Sequence, residues 1–249
     1  MLFPLVTAML VSGVSIGSLF LVIAVVAGFV VHEPLLVLFG FRGPRARREQ
    51  GRTALAWVAG LVAILVVAGI TAVVRMAPAQ RLYVVFPLVP TVYLFIAAAM
   101  GKGKTVAAEV AVAIAFSLVA IPLCLLGSPS VTAGAIVAIA FGANFVLATL
   151  AVRVVIAKVR GGGDPRLVAT MRAWVYGLAI AMVAAVVVLA SGGLLPWPPL
   201  VALVPGIVTA LWIAAFPPPP AKLRAVGWTL VTTSAMVALL LVVALRGTP

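Results

Sequence analysis

Nine apolar runs joined by short connectors decide what this chain can fold into. They cover residues 2–12, 17–39, 53–74, 82–100, 105–126, 130–157, 168–190, 199–216 and 225–245. A helix needs about 20 apolar residues to cross the hydrocarbon of a bilayer, and most of these runs are of that order. The connectors, among them "GFRGPRARREQGR", "GKGK", "RGGGDPR" and "PPPPAKLR", are rich in Gly, Pro or charge and are too short to form a soluble domain. Of the 249 residues 65% are hydrophobic and 8% are charged, whereas a soluble domain carries about 25% charged residues. Lipid must cover the surplus. The apolar-out, polar-in alternation of an outer-membrane barrel is missing. The expected fold class is all-α: a polytopic transmembrane bundle of about nine segments, forming one integral membrane domain over residues 1–249.

The charge is lopsided. A net charge of +13 could invite a nucleic-acid partner, but the positions of the cations point to topology instead. Threading the runs alternately gathers Arg42, Arg45, Arg47, Arg48, Arg52, Lys102, Lys104, Arg153, Lys158, Arg160, Arg166, Arg172, Lys222 and Arg224 on one side. Arg75, Arg81 and Arg246 fall on the other. Basic loops stay cytoplasmic, so the expectation is N-terminus in and C-terminus out, with no nucleic acid. Trp197, between prolines, reads as an interfacial anchor on the outer side.

The first run is the exception. Twelve or so residues make about 18 Å of helix against about 30 Å of hydrocarbon. It is either a half-span or a span that continues upstream of Met1 in the natural protein. A cleaved signal peptide fits poorly, because no basic stretch precedes the apolar run.

Ionisable residues inside hydrocarbon cost at least about 2.5–3.5 kcal/mol each on insertion scales, and so mark paired or functional groups. His32, Glu33, Glu109, Arg153 and Arg172, with Asn144 as a neutral companion, lie in or near the apolar runs. Counting about 1.5 Å per helical residue brings all the charged ones in from the cytoplasmic side. Two are acids and two are arginines, so Glu33 is expected to pair with Arg153 or Arg172 in a polar pocket open to the cytoplasmic leaflet. The same charges can instead fix helix order, or snorkel to water. Arg42, Arg45, Arg47, Arg48 and Arg52 form a second candidate set, for phosphate or lipid headgroups.

Several chemistries are missing. No phosphate-binding glycine loop is present; "MGKGKT" lacks the preceding strand and the spacing. The sole aspartate is Asp164 and the sole cysteine is Cys124, so neither an aspartate-held magnesium nor a thiol-based metal or redox motif is legible. Haem held by two histidines fails on the single His32. No catalytic residue, metal or cofactor is expected. Pro122, Pro205 and the prolines of "VFPLVPTVY" read as kinks, and Pro217 to Pro220 as a stiff connector.

The run "FPLVTAML…FVVHEPLLVLFGFRGPRARREQGRTALAW" resembles the start of the YwiC-like family of bacterial membrane proteins. "AAEVAVAIAFSLVAIPLCLLG", "ANFVLATLAVRVV" and "KLRAVGWTLVTTSAMVALLLVVAL" follow in the same order, and "HEPLLVL" with its basic run is the most specific part. The resemblance implies a location in the bacterial inner membrane and draws attention to His32, Glu33, Arg42, Arg47, Arg48, Glu49, Glu109, Asn144 and Arg153. The Arg-Glu-His-Gly-Ala-(Trp/Tyr) motif that members usually carry before the position of Leu2 is absent. The family implies no reaction. The span count and the charged connector after span two also resemble UbiA-type prenyltransferases, but in place of their Asp-rich motifs this chain offers Glu49 and Asp164 amid arginines.

Three functions remain open: binding or transport of a small anionic or lipidic solute, an isoprenoid transferase lacking its metal motifs, and a structural or assembly subunit. The expected partners are the bilayer and an anionic lipid or solute; nothing in the sequence speaks to oligomeric state. The topology makes a direct prediction. A cysteine placed at Gly192 is labelled from outside intact cells, and one at Gly43 is not; the opposite pattern overturns the threading.

Overall fold

In the computed structural model, residues 2–103, 105–128, 130–160, 164–193 and 197–246 are described. Lys104 and the side chain of Arg160, both counted above on the basic side, lie outside that description. Twelve α-helices follow one another: α1 Phe3–Ser12, α2 Ile16–Val30, α3 His32–Leu38, α4 Pro44–Val74, α5 Val85–Ala99, α6 Val106–Leu118, α7 Ala120–Gly127, α8 Val131–Arg160, α9 Pro165–Ser191, α10 Pro198–Val201, α11 Val204–Ala215 and α12 Leu223–Arg246. Among the described residues there is no strand. Seven stretches are long and apolar enough to cross a membrane, and α1 and α11 are shorter apolar helices. The nine expected segments are all present.

Two of the crossings are broken, and the cause is the same. α2 ends at Val30 and α6 ends at Leu118, each four residues before a proline, Pro34 and Pro122. A helical proline has no N–H for the carbonyl four residues back, and its ring collides with that carbonyl. The chain bends there and resumes at once as α3 and α7. The eighth segment is shorter than the sequence implies. α11 keeps 12 residues, about 18 Å; Pro205 stands in its first turn and the proline run that starts at Pro217 follows its end. The connector after α3 is shorter too. Only residues 39–43 are non-helical; Pro44 stands at the first helical position, where its missing N–H costs nothing, and the stretch that reads as a basic loop is the first turns of α4.

α8 is the axis of the bundle, packed by α6, α7, α9, α11, α12 and α1. Around it lies one apolar cluster with Phe141, Leu123, Val137 and Leu5, and a second with Leu147, Val154, Val175 and Ile213. Met182 and Ile207 pack against both. Small residues bring the helices close, as is usual when lipid removes the hydrophobic drive for association. α1, too short to cross, is inserted among α7, α12, α8 and α6, with Leu5, Thr7 and Ala8 all but inaccessible. α4 is the outermost span and packs chiefly on α2 and α3.

Meetings between helix ends agree with alternate crossing. Arg246, ending α12, donates to the Leu10 carbonyl near the end of α1 at 2.6 Å, and Gly127, ending α7, abuts Ser12 and Gly13. On the opposite, basic side the first turn of α6 meets the last part of α8 through Glu109 and Arg153, and Lys158 reaches Pro217 beyond α11.

The close approach of α7 and α8 makes a prediction. A Cβ at Gly134 of α8 would lie 2.7 Å from Ile121 Cα in α7, whereas one at Gly60 of α4 would meet nothing within 4 Å. Gly134→Ala is expected to lower stability in detergent by about 1–3 kcal/mol, as overpacking does. Gly60→Ala is expected to leave it equal or raise it by up to about 1 kcal/mol. Equal melting temperatures for the two variants would show that α7 and α8 are not packed this closely.

Candidate functional site

The candidate residues fall into four places rather than one pocket. Glu109 and Arg153 form the pair that spans two crossings. Glu109 stands in the first turn of α6, after the cap in which the Thr105 hydroxyl accepts from the Ala108 N–H. A carboxylate there is favoured by the helix dipole. Arg153 Nε donates to Glu109 Oε2 at 2.9 Å and its Nη2 to Oε1 at 2.6 Å. This is the forked geometry in which arginine and carboxylate bind most strongly. The Arg153 side chain is 22% exposed and that of Glu109 41%, so the arginine is held within the bundle and the carboxylate faces its edge.

Glu33 does not join them. The expected partner was Arg153 or Arg172; the observed one is Arg42. Pro34 bends the chain just after Glu33, α3 lasts only seven residues, and the turn after it folds Arg42 back along α3. The two side chains are 63% and 48% exposed. His32, one position earlier, is exposed as well.

Arg172 serves a backbone group. Its Nε donates to the carbonyl of Ala214 at 2.9 Å, in the last turn of α11. Helix-end carbonyls have no partner within the helix, and those of α11 lie amid apolar surroundings because the helix is short. Lys158 does the same for Pro217, at 3.1 Å.

Asn144 lies in the interior. Its Nδ2 donates to the Ser234 hydroxyl of α12 at 3.1 Å, and its Oδ1 occupies the space that a Cβ at Gly206 would need. Thr209 and Thr233 bond nearby at 3.0 Å. Asn144 was a candidate in the sequence, but its partners on α11 and α12 in this polar seam were not legible there, because nothing in the sequence places Thr209 of α11 or the Thr-Thr-Ser run of α12 beside α8. Asn144 is nine positions from Arg153, about 13 Å along α8, so the two do not share a site.

Arg45, Arg47, Arg48 and Arg52 project from the first turns of α4 and are exposed, as is Arg42 before them. Glu49 is bonded to Arg45 at 2.8 Å. Cations in the first turn of a helix oppose its dipole, so Arg45 and Arg47 gain nothing from the dipole of α4. Asp164 caps α9 by accepting from the Arg166 N–H at 2.9 Å. Among the described residues no three His, Cys, Asp or Glu side chains cluster as a metal site would require. Cys124 is buried in the core.

The two acid pairs are expected to differ in weight. Glu33→Gln should change stability by less than about 1 kcal/mol, as for exposed ion pairs. Glu109→Gln should lower it by about 1.5–3 kcal/mol, the range for hydrogen bonds to charged groups. Melting of both variants in the same detergent checks this, and a larger loss at Glu33 would reverse the assignment.

Comparison with known proteins is confined to one part of the chain. No curated protein and no solved structure matches it. Residues 1–124 match the family described as YwiC-like protein. That stretch contains His32, Glu33, the arginines of α4 and Glu109, and it stops before Asn144 and Arg153. From its first helix to Cys124 in α7, this multi-pass membrane chain is YwiC-like.

Proposed function

We propose that this protein of the bacterial cytoplasmic membrane binds or moves a small anionic or lipidic solute from the cytoplasmic side, with Arg153 as the anion's partner. The observation that carries the reading is the forked Glu109–Arg153 pair between α6 and α8, partly open at Glu109. A solute carboxylate or phosphate presents the same two-oxygen face to a guanidinium as Glu109 does. It can therefore replace Glu109 without leaving Arg153 unpaired, and Glu109 can turn to water at the bundle edge. The excess of cations on that side raises the local concentration of anions. His32 and Glu33 stand near the entrance side in this reading, and Arg42, Arg45, Arg47, Arg48 and Arg52 attract the anion or the lipid headgroups.

The test separates a functional pair from one that only fixes helix order. Glu109→Gln combined with Arg153→Met removes both charges, and replacing both partners is often neutral for stability. The double variant is expected to melt near wild type and to fail to complement a deletion strain. Full complementation by the stable double variant would make the pair structural and end the solute reading at this site.

A further inference from the structure

On the outside of the bundle, α9 and α11 leave an open groove of about 880 Å³. Apart from the Tyr176 hydroxyl and the Trp212 indole N–H, its lining side chains are apolar, including Ile180, Val183, Val187 and Leu211. From Tyr176 to Val188 it extends about 18 Å along α9, slightly more than one leaflet's share of a hydrocarbon core about 30 Å thick. At its basic-side end stands Arg172, one turn from Tyr176 and bonded to the carbonyl next to Ala215, the last lining residue of α11.

Among the described residues the charge of Arg172 has no acid to meet. The chain has four acidic residues. Glu33, Glu49 and Glu109 are taken by Arg42, Arg45 and Arg153, and Asp164 caps α9. Arg172 is part-buried and gives its Nε to Ala214, which satisfies one donor and neutralises nothing. An arginine about 10 Å along α9 from Pro165 is at the depth where a headgroup phosphate meets the acyl region.

We propose that this groove holds one anionic phospholipid of the cytoplasmic leaflet, with an acyl chain between α9 and α11 and its phosphate on Arg172. Guanidinium forks suit phosphate. Lys158, whose ammonium rests on the Pro217 carbonyl, adds a second cation at the same end. The inference does not depend on the solute reading, because neither Glu109 nor Arg153 lines the groove.

The experiment uses the full-length protein in nanodiscs of equal phosphatidylglycerol and phosphatidylcholine, released and weighed by native mass spectrometry. Wild type is expected to retain one phosphatidylglycerol in about five- to thirtyfold preference over phosphatidylcholine, the scale of one or two cationic contacts. Arg172→Gln, which keeps an amide donor for Ala214, is expected to abolish the preference. Ala184→Phe, which fills the groove and leaves Arg172 in place, is expected to lower retention of both lipids. Arg153→Met is expected to leave the preference unchanged, so failure here and failure of the solute reading are distinguishable. Equal retention of the two lipids by wild type would overturn the proposal without any variant. So would release of the bound lipid by excess inorganic phosphate, which would mark a simple anion site, or a lipid-free dimer, which would put a second copy in the groove.

Discussion

Carbonyl groups at helix ends are the constraint on which this bundle depends. Water can pair them; hydrocarbon cannot, so within a membrane the protein must supply the donors. Basic side chains do so repeatedly here: Arg172 for Ala214, Lys158 for Pro217, Arg246 for Leu10 and Arg81 for Met76. Each carbonyl lies at or just beyond the C-terminal end of a helix, where the dipole also favours a cation. Three of the four donations come from a different span, and Arg246 reaches across 236 positions of the chain. The same bonds that satisfy short helices therefore also fix which helix ends lie together.

That use of cations explains the distribution of the acids. With only four acidic residues, the chain cannot neutralise its bases one by one. Three acids are used locally: Glu33 on Arg42, Glu49 on Arg45 four positions back, and Asp164 on the backbone of its own helix. Glu109 alone, among the described residues, is bonded to an arginine on a distant span. The pair unites α6 with the central α8, which is why a ligand exchanging with Glu109 would act on the middle of the bundle rather than on its rim. Arg172 is left as a cation beside an apolar groove, and the chemistry that meets both is that of a lipid with a negative head.

Packing supplies the rest of the order. α7 and α8 approach until no side chain fits at Gly134, and Asn144 lies in the space left by Gly206 and reaches Ser234. The second contact holds α11 among longer neighbours, and α1 is held by its packing on α7, α12 and α8; both helices are too short to cross. The prolines that break α2 from α3 and α6 from α7 direct the chain without ending the crossings, because the helix resumes as soon as the displaced carbonyl is passed.

The class and the segmentation were determined by the sequence alone. Runs of apolar residues near 20 long have one stable home, and Gly, Pro and arginine mark where each run leaves it. Of the prolines read as kinks, Pro122 breaks a crossing, whereas Pro205 stands in the first turn of α11 and α5 continues through Pro90. The cost of charge in hydrocarbon singled out Glu109 and Arg153 without pairing them with each other. The partners were another matter. Glu33 was expected beside Arg153 or Arg172, and it lies on Arg42 because a proline bend and a five-residue turn bring positions nine apart together. Arg172 read as half of an ion pair and proved to be a helix cap, because how far α11 extends depends on its neighbours. Periodicity and depth place a residue along a helix axis to within a turn, but which side chain it meets depends on the rotation and neighbours of each helix. Those are set by packing between segments far apart in the chain, and only the tertiary structure decides them.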